Sequence, residues 1–328
     1  MRTNKKLWIM GSVGLVAIGG AVAVSREITK NLIKIAIDRE EPPAMARVKQ
    51  RMEGVGGMKD VAELLREKAA ELESAGGEEI SIKSRDGETL TGHWYPCNGA
   101  KRVLIAMHGW RSCWSRDFGG IAPFWRENGC SVLYAEQRGQ NKSSGNYITF
   151  GLLERYDCLD WVHWVSESVG EDVPVYLCGI SMGASTVLLA SALNLPSNVH
   201  GIIADCGYTS PHAIWKHVVN TNLHLPYQPH GRAMNALFMR EFDTDITDFS
   251  TVSAMKCNKT PVLFVHGAAD RFVPIGMTYE NYMACRAPRR LLVVPGARHG
   301  MSYCVDRDTY ERVTKDFWRD FDGVRSNV

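Results

Sequence analysis

The chain has 328 residues, with 38 Lys or Arg against 36 Asp or Glu and a formal net charge of +2. Hydrophobic residues at 45% and charged residues at 23% suit a globular protein with a sizeable core, in one large domain or two ordinary ones. No basic stripe interleaves with aromatics, which argues against nucleic-acid binding, and the nine cysteines hold no CxxC pair, which argues against zinc-ribbon and thioredoxin-like sites.

In chain order, Leu7–Val24 reads LWIMGSVGLVAIGGAVAV without a charge. As a helix it would span about 27 Å, enough for a thin hydrocarbon core. Arg2, Lys5 and Lys6 precede it, while Arg26, Lys30 and Lys34 follow, so the charges leave its orientation open. The expectation is a single-pass N-terminal anchor at the cell membrane through residues 7–24. A signal peptide cleaved near Ala21-Val22-Ala23 and a buried core helix are the alternatives. Residues 1–40 are then anchor and juxtamembrane helix. The paired prolines Pro42-Pro43 stop that helix, and residues 41–78 form a helical linker with Val61, Leu64, Leu65 and Leu72 in helical register.

From residue 79 to the end the pattern changes to strands alternating with helices. A hairpin over 80–95, turning at Asp86-Gly87, leads in. Apolar runs at 103–109, 131–136, 173–181, 199–205, 261–267 and 290–296 read as buried strands, with helices between them such as 152–168 and a closing one over 303–321. This predicts an α/β domain: a mostly parallel, doubly wound sheet with helices on both faces. Residues 208–250 break the rhythm and are expected to form a small helical cap.

The strongest motif is Gly179-Ile180-Ser181-Met182-Gly183, lodged between the strand run VYLC and the helical run ASTVLLASAL. Glycines at 179 and 183 permit a tight strand-to-helix turn that lifts Ser181 clear of the sheet, making it the candidate nucleophile. A serine needs a base, and the base needs an acid to orient it. The expected order of nucleophile, acid, histidine selects Asp270, just past the strand at 261–267, and His299, after the last strand. Asp205, Asp306 and Asp308 are the competing acids. The backbone N–H of Met182 and that of Trp110, in the turn His108-Gly109-Trp110, are the candidate oxyanion donors. Trp110, Trp114 and Arg116 are alternatively pocket-lining residues.

These motifs, HGWRSCWSRDF (108–118), EQRGQNKSSG (136–145), FGLLERYDCLDWV (150–162), GISMG (179–183), HGAADRFVP (266–274) and GARHG (296–300), resemble those of the α/β-hydrolase superfamily. The likeness is to bacterial membrane-anchored members among the serine aminopeptidase, monoacylglycerol-lipase and esterase-like groups. Asn141 stands where relatives carry glycine in the RGxGxS turn, and it tolerates the left-handed backbone region. The resemblance implies a serine hydrolase of carboxylesterase or lipase type, acting without metal or organic cofactor on a small-molecule acyl ester. A peptidase or an acyltransferase on the same triad, and a non-catalytic binding protein, are the rival readings.

Overall fold

In the computed structural model, residues 24–40 and 58–323 are described. Eight strands form one sheet in the order β1-β2-β4-β3-β5-β6-β7-β8. They are β1 (Glu78–Lys83), β2 (Thr89–Tyr95), β3 (Arg102–Met107), β4 (Cys130–Ala135), β5 (Val175–Ile180), β6 (Val199–Asp205), β7 (Val262–Gly267) and β8 (Arg289–Val294). From β4 across to β8 every neighbouring pair is parallel, whereas β1 and β2 are antiparallel additions at one edge. Strands β3, β4, β6 and β7 are buried at every position, which is why their sequences are continuous apolar runs rather than alternating ones.

The pleat sends alternate residues to two cores. Val103, Ile105 and Met107 of β3 enter one cluster, while Leu104 and Ala106 enter the other. Helices α5 (Glu154–Val169) and α6 (Met182–Ala190) supply the first cluster, with Trp161, Val162, Val187 and Leu188. The short helices α3 (Trp114–Phe118) and α4 (Ala122–Glu127), together with the C-terminal α12 (Arg307–Phe321), supply the second. The closing helix expected over 303–321 is in fact two, α11 (Ser302–Val305) and α12. They are separated at Asp306, whose side chain accepts the Thr309 N–H at 3.1 Å and caps α12. Between β6 and α9 (Thr251–Cys257), residues 208–250 hold α7 (Pro211–His217), a π-helical turn Val218–Asn222 and α8 (Tyr227–Phe242). The last connection, β7 to β8, carries α10 (Ile275–Ala284).

The N-terminal expectation requires correction. Apart from Val24, the expected membrane-spanning segment lies outside the described residues, and among those no helix is long and apolar enough to cross a membrane. A cell-membrane location is therefore not supported. Helix α1 (residues 24–37), expected beside a membrane, instead packs on the domain, with Ala36 and Ile37 buried in the first core cluster. Helix α2 (Met58–Ser74) docks at the second core cluster, which holds its Leu72: Tyr95 donates its hydroxyl to Leu72 O at 2.8 Å, and Ser115 donates to Glu73 Oε1 at 2.6 Å.

Candidate active site

Ser181 stands between the end of β5 and the start of α6 with φ +57°, ψ −115°. A residue with a β-carbon adopts such a backbone only when its surroundings over-determine it. Here the turn is squeezed from both sides. A β-carbon on Gly183 would lie 1.8 Å from Met107 O, and one on Gly179 would lie 2.3 Å from the Gly183 carbonyl. The Ser181 N–H is tied to Asp205 O at 2.8 Å, anchoring the turn to the end of β6.

The loops after β7 and β8 bring two further groups to this point. His299 Nε2 lies 2.8 Å from Ser181 Oγ, and His299 Nδ1 lies 2.7 Å from Asp270 Oδ2. Asp270 Oδ1 accepts the N–H groups of Phe272 and Val273 at 2.8 and 3.0 Å. Burial pushes the Asp270 carboxyl up, but hydrogen bonds from His266 and His299 and the attraction of His299 outweigh it and hold the group well below the usual carboxylate range. Asp270 is thus an anion at neutral pH. Because a carboxylate only accepts, His299 carries a proton on Nδ1, and it is Nε2 that faces the serine hydroxyl.

The loop after β3 faces the serine turn, since a β-carbon on Gly109 would be 3.5 Å from Ser181 Cβ. Three of its backbone donors are used. Gly109 N–H goes to Asp117 Oδ2 at 2.7 Å, Arg111 N–H to Gln140 Oε1 at 2.6 Å, and Ser112 N–H to Gly109 O at 3.3 Å. Among the described residues, the N–H groups of Trp110 and Met182 have no acceptor. His108 is fully buried and braces this loop. Its Nδ1 donates to Gly109 O at 2.8 Å and its Nε2 accepts Gln137 N–H at 3.1 Å, which makes it neutral. Desolvation lowers its pKa in the same sense.

Other candidates fall elsewhere. Trp114 is buried and stacked on His93 at 4.2 Å, so it belongs to the core and not to a pocket. Asp205 is buried beneath the serine turn, accepts Ser302 Oγ at 3.0 Å and is pushed up to about 6 by burial. Asp306 caps a helix and Asp308 lies in its first turn. Asn141 has φ +50° and donates Nδ2 to Ser112 O at 2.9 Å.

Two neighbours of the array escaped sequence reasoning. His266, in the run VLFVHG, has its Nε2 3.3 Å from Asp270 Oδ2, and its place as the last buried polar residue before a loop was the available signal. Cys206 offers a sulfur that, with ligand atoms of Asp270 and His299, falls within a 4.8 Å cluster. Burial raises that thiol well above its ordinary value, which disfavours the thiolate a metal would need, and the other two groups are already hydrogen-bonded to each other. All nine cysteines are unpaired.

No protein-family model matches the chain. Among curated proteins, the uncharacterised YqkD of Bacillus subtilis (strain 168) is 24% identical over 189 residues, covering 58% of this chain and 62% of its own length. The chain therefore spans less than two thirds of that relative. The uncharacterised YfhR of Escherichia coli (strain K12) is 21% identical over 255 residues, 73% of this chain and 80% of its own. Among solved structures, the esterase Pf2001 of Pyrococcus furiosus superposes with a TM-score of 0.61 at 21% identity, covering 76% of this chain and 94% of that one. The α/β hydrolase GrgF of Penicillium sp. sh18 gives 0.60 at 18%, covering 76% and 100%, and Est1E of Butyrivibrio proteoclasticus gives 0.57 at 18%, covering 75% and 98%. A mostly parallel eight-stranded sheet, flanked by helices and shared with these neighbours over three quarters of the chain, establishes that this protein has the α/β-hydrolase fold.

Proposed function

We propose that the protein is a serine hydrolase that cleaves carboxylic esters of modest size through an acyl-enzyme on Ser181. The observation that carries this reading is the continuous hydrogen-bonded path from Asp270 Oδ2 to His299 and on to Ser181 Oγ, at 2.7 and 2.8 Å. His299 Nε2 takes the hydroxyl proton as Oγ attacks the ester carbonyl, and Asp270 stabilises the imidazolium that forms. The N–H groups of Trp110 and Met182 receive the developing oxyanion. Nε2–H then protonates the leaving alcohol. Water, deprotonated by the same nitrogen, attacks the acyl-enzyme, releases the carboxylic acid and restores Ser181.

The ester half of the proposal is supported by analogy: Pf2001 bears the name esterase, and Est1E has been solved with ferulic acid bound. The test is labelling of the full chain by a fluorophosphonate beside Ser181→Ala, followed by p-nitrophenyl esters of graded acyl length. Labelling and turnover that vanish in Ser181→Ala are expected. A folded wild type that neither labels nor turns over any ester would overturn the proposal.

A further inference from the structure

Helix α1 ends where the loop carrying Trp110 begins to need support. The last four carbonyls of a helix have no partner within it. In α1 all four are satisfied, two of them by side chains of that loop alone. Lys34 O takes Asp38 N–H at 3.1 Å and Arg111 Nη2 at 3.2 Å; Ile35 O takes Arg111 Nε at 2.7 Å; Ala36 O takes the Trp110 indole N–H at 2.7 Å; Ile37 O takes Ile148 N–H at 2.7 Å. Arg111 also donates to Asp38 O at 2.5 Å, so one guanidinium is fastened to three carbonyls. Arg111 itself sits at φ +49°, a left-handed backbone that a residue with a β-carbon holds only under constraint. The constrained residue directly follows Trp110, whose backbone N–H has no acceptor among the described residues.

We propose that Arg111 is a positioning residue: by gripping the carbonyl end of α1 it holds the left-handed turn that aims the Trp110 N–H at the oxyanion. The proposal rests on the hydrolase reading above. It makes residues 24–40, which sequence reasoning set apart as an appendage, a working part of the catalytic apparatus. The same helix touches the 208–250 segment through Thr29 Oγ1 and His230 Nδ1, 2.8 Å apart, so the turn, α1 and α8 form one braced unit.

The experiment compares the full-length wild type, Arg111→Ala and Trp110→Phe in p-nitrophenyl acetate hydrolysis and in hydrogen–deuterium exchange. The phenylalanine variant keeps an aromatic ring and the backbone N–H but removes the indole donor, and it serves where Arg111→Ala folds poorly. Arg111→Ala should lower kcat by about 10²-fold, the cost of a misplaced oxyanion donor, with KM changed less than about 3-fold. Trp110→Phe should lower kcat by about 10-fold. Exchange should rise together in peptides covering 24–40 and 108–114. An unchanged kcat in both folded variants, or a change confined to KM, overturns the proposal. If the wild type hydrolyses and labels nothing, the hydrolase reading fails. Exchange then tests the grip by itself, and unchanged protection in Arg111→Ala overturns it.

Discussion

His266 Nε2 lies 3.3 Å from Asp270 Oδ2, the same oxygen that takes the His299 Nδ1–H at 2.7 Å. The neighbours of His266 assign its proton. Val273 O, 3.0 Å from Nε2, can only accept, so Nε2 is the donor, and Nδ1 lies 2.7 Å from the Thr278 hydroxyl. The wholly buried His266 ring therefore ties β7, α10 and the Asp270 loop together.

Replacing His266 should loosen the carboxylate without touching the serine turn. His266→Gln keeps an amide donor and is expected to lose about 10-fold in kcat. His266→Ala, which leaves Asp270 with one imidazole partner, should lose about 10²-fold, the usual cost of a displaced catalytic group. Steady-state kinetics on one ester decide the matter. Equal kcat values for both variants and wild type would remove His266 from the apparatus.

The three members of the array should act as a unit. Ser181→Ala and His299→Ala are each expected to reduce turnover to the level left by the remaining site, and the double variant should be no worse than either. Asp270→Asn should cost about 10⁴-fold in kcat, because an amide N–H facing His299 favours the wrong tautomer. Additive losses in the double variant would mean that the two residues work independently.

Gly183→Ala tests why the serine turn needs its glycines. The new methyl would meet Met107 O at 1.8 Å, a backbone atom that no rotamer change can move. A loss above about 4 kcal/mol, seen as insoluble expression or collapse of the thermal transition, is expected. Gly276→Ala is the control: nothing lies within 4 Å, the site is within α10, and a gain of about 0.4–1 kcal/mol is expected. Similar melting temperatures for the two variants would refute the packing argument.

That contrast also marks what was legible in the sequence. Gly179, Ser181 and Gly183 could be read because a strained turn admits few residue types, and buried parallel strands announce themselves as unbroken apolar runs such as VLIAM. Asp270 and His299 followed from strand order, since loops at the carboxyl ends of parallel strands open on one edge. What could not be read was contact at long separation. Arg111 meets residues 34–38 across more than 70 positions, through backbone carbonyls that every residue possesses. The apolar run at 7–24 drew the neighbouring residues into the same reading, although Ile37 is a core residue.

Asp205 is a buried carboxyl that the proposed chemistry does not use. Burial raises it from 3.8 to about 6, against the Ser302 hydrogen bond and the attraction of His266 and His299, while Asp270 adds repulsion. The folded state thus holds a proton between about pH 4 and pH 6 that the unfolded chain, with an Asp pKa of about 3.9, has already released. The stabilisation from this group is complete below about pH 4 and is lost as pH rises through about 6, a swing on the order of 3 kcal/mol. Asp205→Asn keeps an oxygen for Ser302 Oγ and removes the charge. Relative to wild type, its stability by urea unfolding should gain across that window, so that it is the more stable protein at pH 8. Working against the gain is any mismatch between the new amide and its buried surroundings, and this offset does not vary with pH. The difference between the two proteins therefore isolates the carboxyl. If the two stability curves run parallel from pH 4 to pH 8, Asp205 is not the buried titrating group that its surroundings imply.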